Sequence, residues 1–223
     1  MHHLLFATVL FVGSTDHPPN AVTSATELRN ILNTSASAAT STEIQIESGC
    51  GPAGCMIEVE QLQIQRDKGF FEHEGKPLRL IEHKPTVRWV LPEMDWTPVA
   101  AYKTSTGGKP WGACLEFAHS GIGKSGVHQR WSSVVLVPFQ GGKPVDAAHR
   151  FVGYWTGCDS LEVGETPHQI VLPLVEPAPA GMSPSLRIRQ YLCTAQGCER
   201  REDPRQVHGD PSGESGVLMI DGR

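Results

Sequence analysis

Six cysteines, arranged as two matched close pairs and two singles, constrain this chain more than any other feature. The pairs are Cys50-Gly-Pro-Ala-Gly-Cys55 and Cys193-Thr-Ala-Gln-Gly-Cys198, both C-x-x-x-G-C, and the singles are Cys114 and Cys158. An even count with a repeated spacing is the pattern of a disulfide framework, and disulfides persist in oxidising compartments. Proximity predicts the pairing Cys50–Cys55, Cys114–Cys158 and Cys193–Cys198. In each short ring the glycine supplies the positive φ that a tight reversal needs. Loop entropy assigns a six-residue ring about 2 kcal/mol and a ring of roughly 45 residues about 4 kcal/mol. Cys114–Cys158 is therefore expected to be the principal staple, tying two sheets together. The competing use of two C-x4-C pairs is a four-thiolate zinc site, but zinc knuckles space their cysteines more tightly and an oxidising compartment removes the thiolates.

The N-terminus supports export. Leu4 to Val12 is an apolar run of signal-core length, too short to span a bilayer, and Thr23-Ser24-Ala25 offers small residues for cleavage. Residues 1–25 read as a signal peptide, although Met1-His2-His3 lacks the usual positive charge. No later apolar run exceeds strand length, so no membrane span is expected after its removal. Residues 26–42 carry a brief helical hint (Leu28, Ile31, Leu32) and then a Ser/Thr/Ala-rich linker containing the sequon Asn33-Thr34-Ser35. A net charge of −5 without any basic run excludes phosphate tracking and argues against nucleic acid and anionic membrane surfaces.

From Glu43 to the C-terminus the hydrophobic period is two, and residues 43–223 read as one β-rich domain. Ile57 and Val59 alternate with Glu58 and Glu60, and Leu62 and Ile64 continue in the opposite parity. A bulge near Glu60-Gln61 would return them to one face. Further strands are expected over 78–83, 86–91, 98–103, 113–118, 131–139, 150–156, 168–175, 186–193 and 216–221. Residues 176–185 and 199–215 read as loops, the first rich in proline and the second highly charged. Gly-Lys-Pro occurs at 75–77, 108–110 and 142–144, which reads either as turn chemistry used three times or as a repeated hairpin unit; turn chemistry is the simpler reading. The expected fold is an all-β antiparallel sandwich, with a barrel as second choice, stapled by disulfides and holding at most one short N-terminal helix.

Catalytic motifs are weak. Ala118 to Ser125 has the form A-x4-G-K-S of a relaxed phosphate loop, but a strand rather than a helix follows, so a Gly/Ser hairpin is expected. Ser125 and Ser215 sit between glycines, yet no G-x-S-x-G elbow exists and His149 stands in the wrong order for a trypsin-like triad. Glu93, Asp95, Glu116 and Asp159 are candidate carboxylates for hydrolysis. The histidines at 73, 83, 119, 128, 149, 168 and 208 show no metal-ligand spacing, so neither metal nor cofactor is expected. Aromatics concentrate in the middle of the chain, and adjacent strand residues such as Tyr154 and Trp155 point to opposite faces. The leading expectation is an exported, non-enzymatic binding module for a protein or glycan, contacted by Trp96, Trp111, Tyr154, Trp155 and Asp159. A secreted hydrolase using strand-end carboxylates or a spatial Ser/His pair is second. A structural accessory subunit of an envelope assembly is third.

Overall fold

A computed structural model describes residues 21–22, 25–32, 38–51, 54–66, 68–83, 96–118, 131–154, 156–177, 186–209 and 218–221. In chain order the elements are β1 (Ala21–Val22), α1 (Ala25–Leu32), β2 (Thr40–Glu43), β3 (Glu47–Gly51), β4 (Gly54–Val59), β5 (Leu62–Gln65), β6 (Phe70–His73), β7 (Lys76–Pro77), β8 (Arg79–His83), β9 (Ala100–Thr106), β10 (Lys109–Ala118), β11 (Trp131–Gln140), β12 (Lys143–Pro144), β13 (Ala147–Tyr154), β14 (Glu162–Val163), β15 (Ile170–Pro177), β16 (Leu186–Thr194), β17 (Gly197–Gly209) and β18 (Leu218–Asp221). The large sheet runs β1-β18-β17-β16-β15-β13-β11-β10-β9-β2, with β8, β12 and β14 joined at its sides, and the small sheet runs β3-β4-β5-β6-β7. Pairing is antiparallel except for β8, which lies parallel to β13. The layout is the expected two-sheet sandwich rather than a closed barrel.

Alternation along β10 and β11 explains the layers. Leu115, Phe117, Val135 and Val137 meet Ile57, Val59, Leu62, Ile64 and Phe71 of the small sheet. Cys114, Val134 and Leu136 turn the other way, onto Leu172, Leu174 and Tyr191. Because β11 is covered on both faces, Val134 to Val137 are apolar without interruption. A third cluster sits under α1, where Leu28 and Leu32 pack on Val152, Tyr154, Ile188 and Leu218. Arg205 donates to the carbonyls of Ile31 and Leu32 at 3.3 and 2.8 Å, satisfying the open C-terminal turn of α1.

The disulfides are Cys50–Cys55, Cys114–Cys158 and Cys193–Cys198. Each short one bridges directly paired residues of a hairpin, β3–β4 or β16–β17, with Gly54 (φ 115°) or Gly197 (φ 150°) in the reversal. They sit in different sheets, so the four-thiolate zinc reading has no common site. Cys114–Cys158 ties β10 to the short 3-10 turn Cys158–Ser160 that follows β13; it does not join the two sheets.

Other expectations change. Glu60-Gln61 is a hairpin turn, with Glu60 at φ 52° and Val59 paired to Leu62, so chain reversal rather than a bulge restores the common face. Much of the charged stretch expected as a loop is strand: β17 runs to Gly209 because its charges have cross-strand partners. Glu202 stands opposite Arg189, Arg200 opposite Tyr191, and Gln190 donates to Asp203 at 2.9 Å. Residues 40–42, assigned to the linker, belong with Glu43 to β2, which pairs with β9. Ala21–Val22, inside the stretch expected to be cleaved, pairs with β18. The three Gly-Lys-Pro copies follow one geometry. Glu74-Gly75, Gly107-Gly108 and Gly141-Gly142 each hold two successive positive φ values, the signature of type I′ hairpins, and Lys-Pro opens each return strand. Residues 86–91, the sequon, the 178–185 segment, the 119–125 part of the phosphate-loop motif and Ser215 lie outside the described residues.

Two stability results are expected. Removing Cys114–Cys158 by double alanine substitution should cost about 4 kcal/mol in urea unfolding, against about 2 kcal/mol for either short ring. Gly112→Ala should cost about 1–3 kcal/mol, because a Cβ there would meet the Val137 carbonyl oxygen at 2.2 Å in the centre of the sheet.

Candidate functional site

Four chain reversals converge at one end of the large sheet and enclose a cleft of about 540 Å³. They are the β9–β10 turn, the β11–β12 turn, the loop between β14 and β15, and the β16–β17 turn. The loop is preformed. Gly164 N–H donates to the Gln169 carbonyl at 2.9 Å, and Gln169 N–H to the Thr166 carbonyl at 3.0 Å. The Thr106 hydroxyl donates to the Pro167 carbonyl and anchors the loop to β9. Trp111 forms the base. The β9–β10 register shifts between Pro110 and Gly112, a bulge that re-aims the intervening side chain. Trp111 is only 4% exposed, and its Nε1–H donates to the His168 carbonyl at 3.2 Å. Lys109, Gln140, His168 and Gln196 stand exposed on the rim. The lining holds amides, hydroxyls, the His168 imidazole and one ammonium, with no carboxylate among the described residues.

The exposed aromatic platform expected from Trp96, Trp111 and Tyr154 is not formed. Trp111 and Tyr154 are buried in separate clusters, because β10 and β13 are interior strands covered on both faces. Trp96 is half-buried. Its ring packs edge-on to Phe71 (5.8 Å) and Phe117 (6.1 Å), with the Arg150 guanidinium 5.8 Å from its centroid. Trp111 keeps a place in the cleft as its base. Asp159 is exposed in the 3-10 turn, away from the cleft lining. Trp155, Glu93 and Asp95 lie outside the described residues.

Glu116 and Asp159 form a separate acidic end beside the Cys114–Cys158 bridge. Burial raises the Glu116 carboxyl above its ordinary range, the Cys158 N–H donating at 2.6 Å pulls it back, and Asp159 raises it further. The same carboxylates, after burial, raise the Tyr102 phenol.

A second cluster had no signal in residue spacing. His83 on β8 and His149 on β13 are 66 residues apart, yet parallel pairing brings His83 Nε2 to 3.0 Å from His149 Nδ1. His83 also stacks on Phe151 at 4.5 Å and meets Tyr191 edge-on at 5.2 Å. Burial, then the neighbouring His149, lowers His83 to about 4; burial, then Arg79, lowers His149. Both shifts favour the neutral imidazole. The rings' mutual contact engages His83 Nε2 and His149 Nδ1. One nitrogen of each ring and Cys198 Sγ lie within 4.8 Å of one another.

No protein-family model, curated protein or solved structure matches the chain, so the reading of function rests on the chemistry of these groups.

Two measurements follow from this geometry. Trp111→Ala should cost about 3–5 kcal/mol in denaturant unfolding, as a core truncation does. Glu116→Gln should raise Tm at pH 7.5. The raised folded pKa means that the native state holds the proton more tightly, so native stability falls as pH rises from 4.5 through that pKa. Glutamine keeps an oxygen for the Cys158 N–H and removes the charge. The gain should shrink toward pH 4, and calorimetry at the two pH values tests it.

Proposed function

We propose that the protein is an exported, disulfide-stapled binding module, and that its ligand is a glycan held in the cleft above Trp111. The observation that carries this reading is the lining itself: amide, hydroxyl, imidazole and ammonium groups around the cavity, without a carboxylate among the described residues. Neutral sugars are recognised by convergent amide and hydroxyl hydrogen bonds in concave sites of this size. The three disulfides favour an oxidising compartment, and no helix among the described residues is long and apolar enough to cross a membrane. Rigid hairpin tips lower the ordering cost of binding, which suits recognition.

A second reading, hydrolysis, draws support from one observation, the raised Glu116 carboxyl beside Asp159. Two neighbouring carboxyl groups, one with its pKa raised by burial, are the residue types that glycoside cleavage uses.

Screening against a panel of soluble glycans and immobilised polysaccharides tests both. Lys109→Ala, Gln140→Ala and Gln196→Ala alter exposed rim residues and should leave Tm unchanged. Each should weaken binding about five-fold, the equivalent of roughly 1 kcal/mol for one hydrogen bond. Unchanged affinity in the triple variant would remove the cleft as the site. Glycan turnover that disappears in Glu116→Gln but survives the triple variant would favour the hydrolase.

A further inference from the structure

We infer that His83, His149 and Cys198 form a binding site for copper(I), opened when the Cys193–Cys198 disulfide is reduced. The three ligand atoms already lie within 4.8 Å of one another. Ligands on a three-coordinate metal stand roughly 3.5–4 Å apart, given metal–ligand bonds of about 2.0–2.3 Å. Closing the site therefore takes side-chain adjustment rather than rearrangement of strands. The rings are held in place by the sheet: β8 and β13 are paired in register, His149 is 2% exposed, and His83 is stacked against Phe151.

The disulfide is the lock. A reducing dithiol delivers two electrons and two protons to the Cys193–Cys198 bond and leaves as its own disulfide, releasing two thiols. The six-residue ring contributes only about 2 kcal/mol, so the hairpin outlasts its opening. The β16–β17 ladder also continues on either side of the pair, through Thr194–Gly197 and Leu192–Glu199. On binding, the Cys198 thiol loses its proton to solvent and a sulfur–copper bond forms. The His83–His149 hydrogen bond gives way, and its proton moves to the far nitrogen of the ring that donated it, leaving one lone pair on each ring for the metal.

The donor set selects the ion. One thiolate and two imidazoles are soft to intermediate donors, suited to copper or zinc rather than magnesium or calcium. Structural zinc takes four ligands, whereas the donor atoms lying within 4.8 Å of one another number three among the described residues, and Cys193, the second thiol that reduction frees, is not among them. Three donors suffice for copper(I), and the reductant that frees the thiol also keeps copper cuprous.

Cys193→Ser frees Cys198 without reductant and provides the test. The purified variant is titrated anaerobically with copper(I) against the chromogenic chelator bathocuproine disulfonate, with circular dichroism checking the fold. The expected result is one copper(I) per chain, a near-ultraviolet thiolate-to-copper band and shifted imidazole resonances. Adding His83→Phe, which keeps the stack on Phe151, should weaken binding more than about 100-fold, beyond the loss seen when only an outer-shell partner is removed. His149→Gln in the same background should do likewise and stands in should the His83 variant fail to fold. The oxidised wild type should bind as poorly as these variants and recover on reduction. Copper affinity unchanged by loss of either imidazole would overturn the site. Stoichiometric zinc(II) binding with negligible copper(I) binding would overturn the choice of metal.

Discussion

The β10–β11 ladder, buried on both faces, is the constraint on which the other parts depend. Two-sided burial gives that pair apolar neighbours in two layers but removes the usual guardian of register. On a half-exposed strand a one-residue slip moves apolar side chains into water. Along Val134 to Val137 it would exchange one apolar face for another. Register is instead fixed by shape and covalency. Gly112 fits under the Val137 carbonyl where no side chain has room, and Cys114 is bonded to Cys158. The Gly141-Gly142 turn closes the far end of β11 without slack.

That arrangement also determines where ligands can meet the protein. With both faces of the central strands covered, exposed chemistry is pushed to the strand ends. Hairpin tips there present amides and hydroxyls on a frame that cannot deform easily. The bulge at Trp111 links the two regions: its ring belongs to the core, while its indole N–H fixes the loop that forms one wall of the cleft. The β16–β17 hairpin plays a similar double part, since its turn lines the cleft and the disulfide that closes that turn lies beside the two histidines.

Much of the scaffold was legible in the sequence because it rests on local rules. The paired C-x-x-x-G-C motifs implied small rings with a positive-φ glycine, and both glycines have it. Most strand positions follow from period-two alternation. The failures have a common origin in partners distant along the chain. Glu199, Arg200 and Glu202 look like loop residues until β16 supplies their cross-strand neighbours. Trp111 and Tyr154 look like surface platforms until the covering layers are known. His83 and His149 acquire meaning only through the parallel pairing of β8 with β13, a connection that no spacing of residues encodes.

The two ends of the large sheet's path are β1, two residues long, and β2, a four-residue strand of Thr, Ser and Glu. Both precede the long strands in the chain and lie at opposite borders of the sheet. A sheet this wide would otherwise present long rows of open amide and carbonyl groups to its neighbours, a template for edge-to-edge stacking. Short terminal strands, one of them polar, shorten that template. The end of the segment that reads as a linker thus supplies one border of the large sheet.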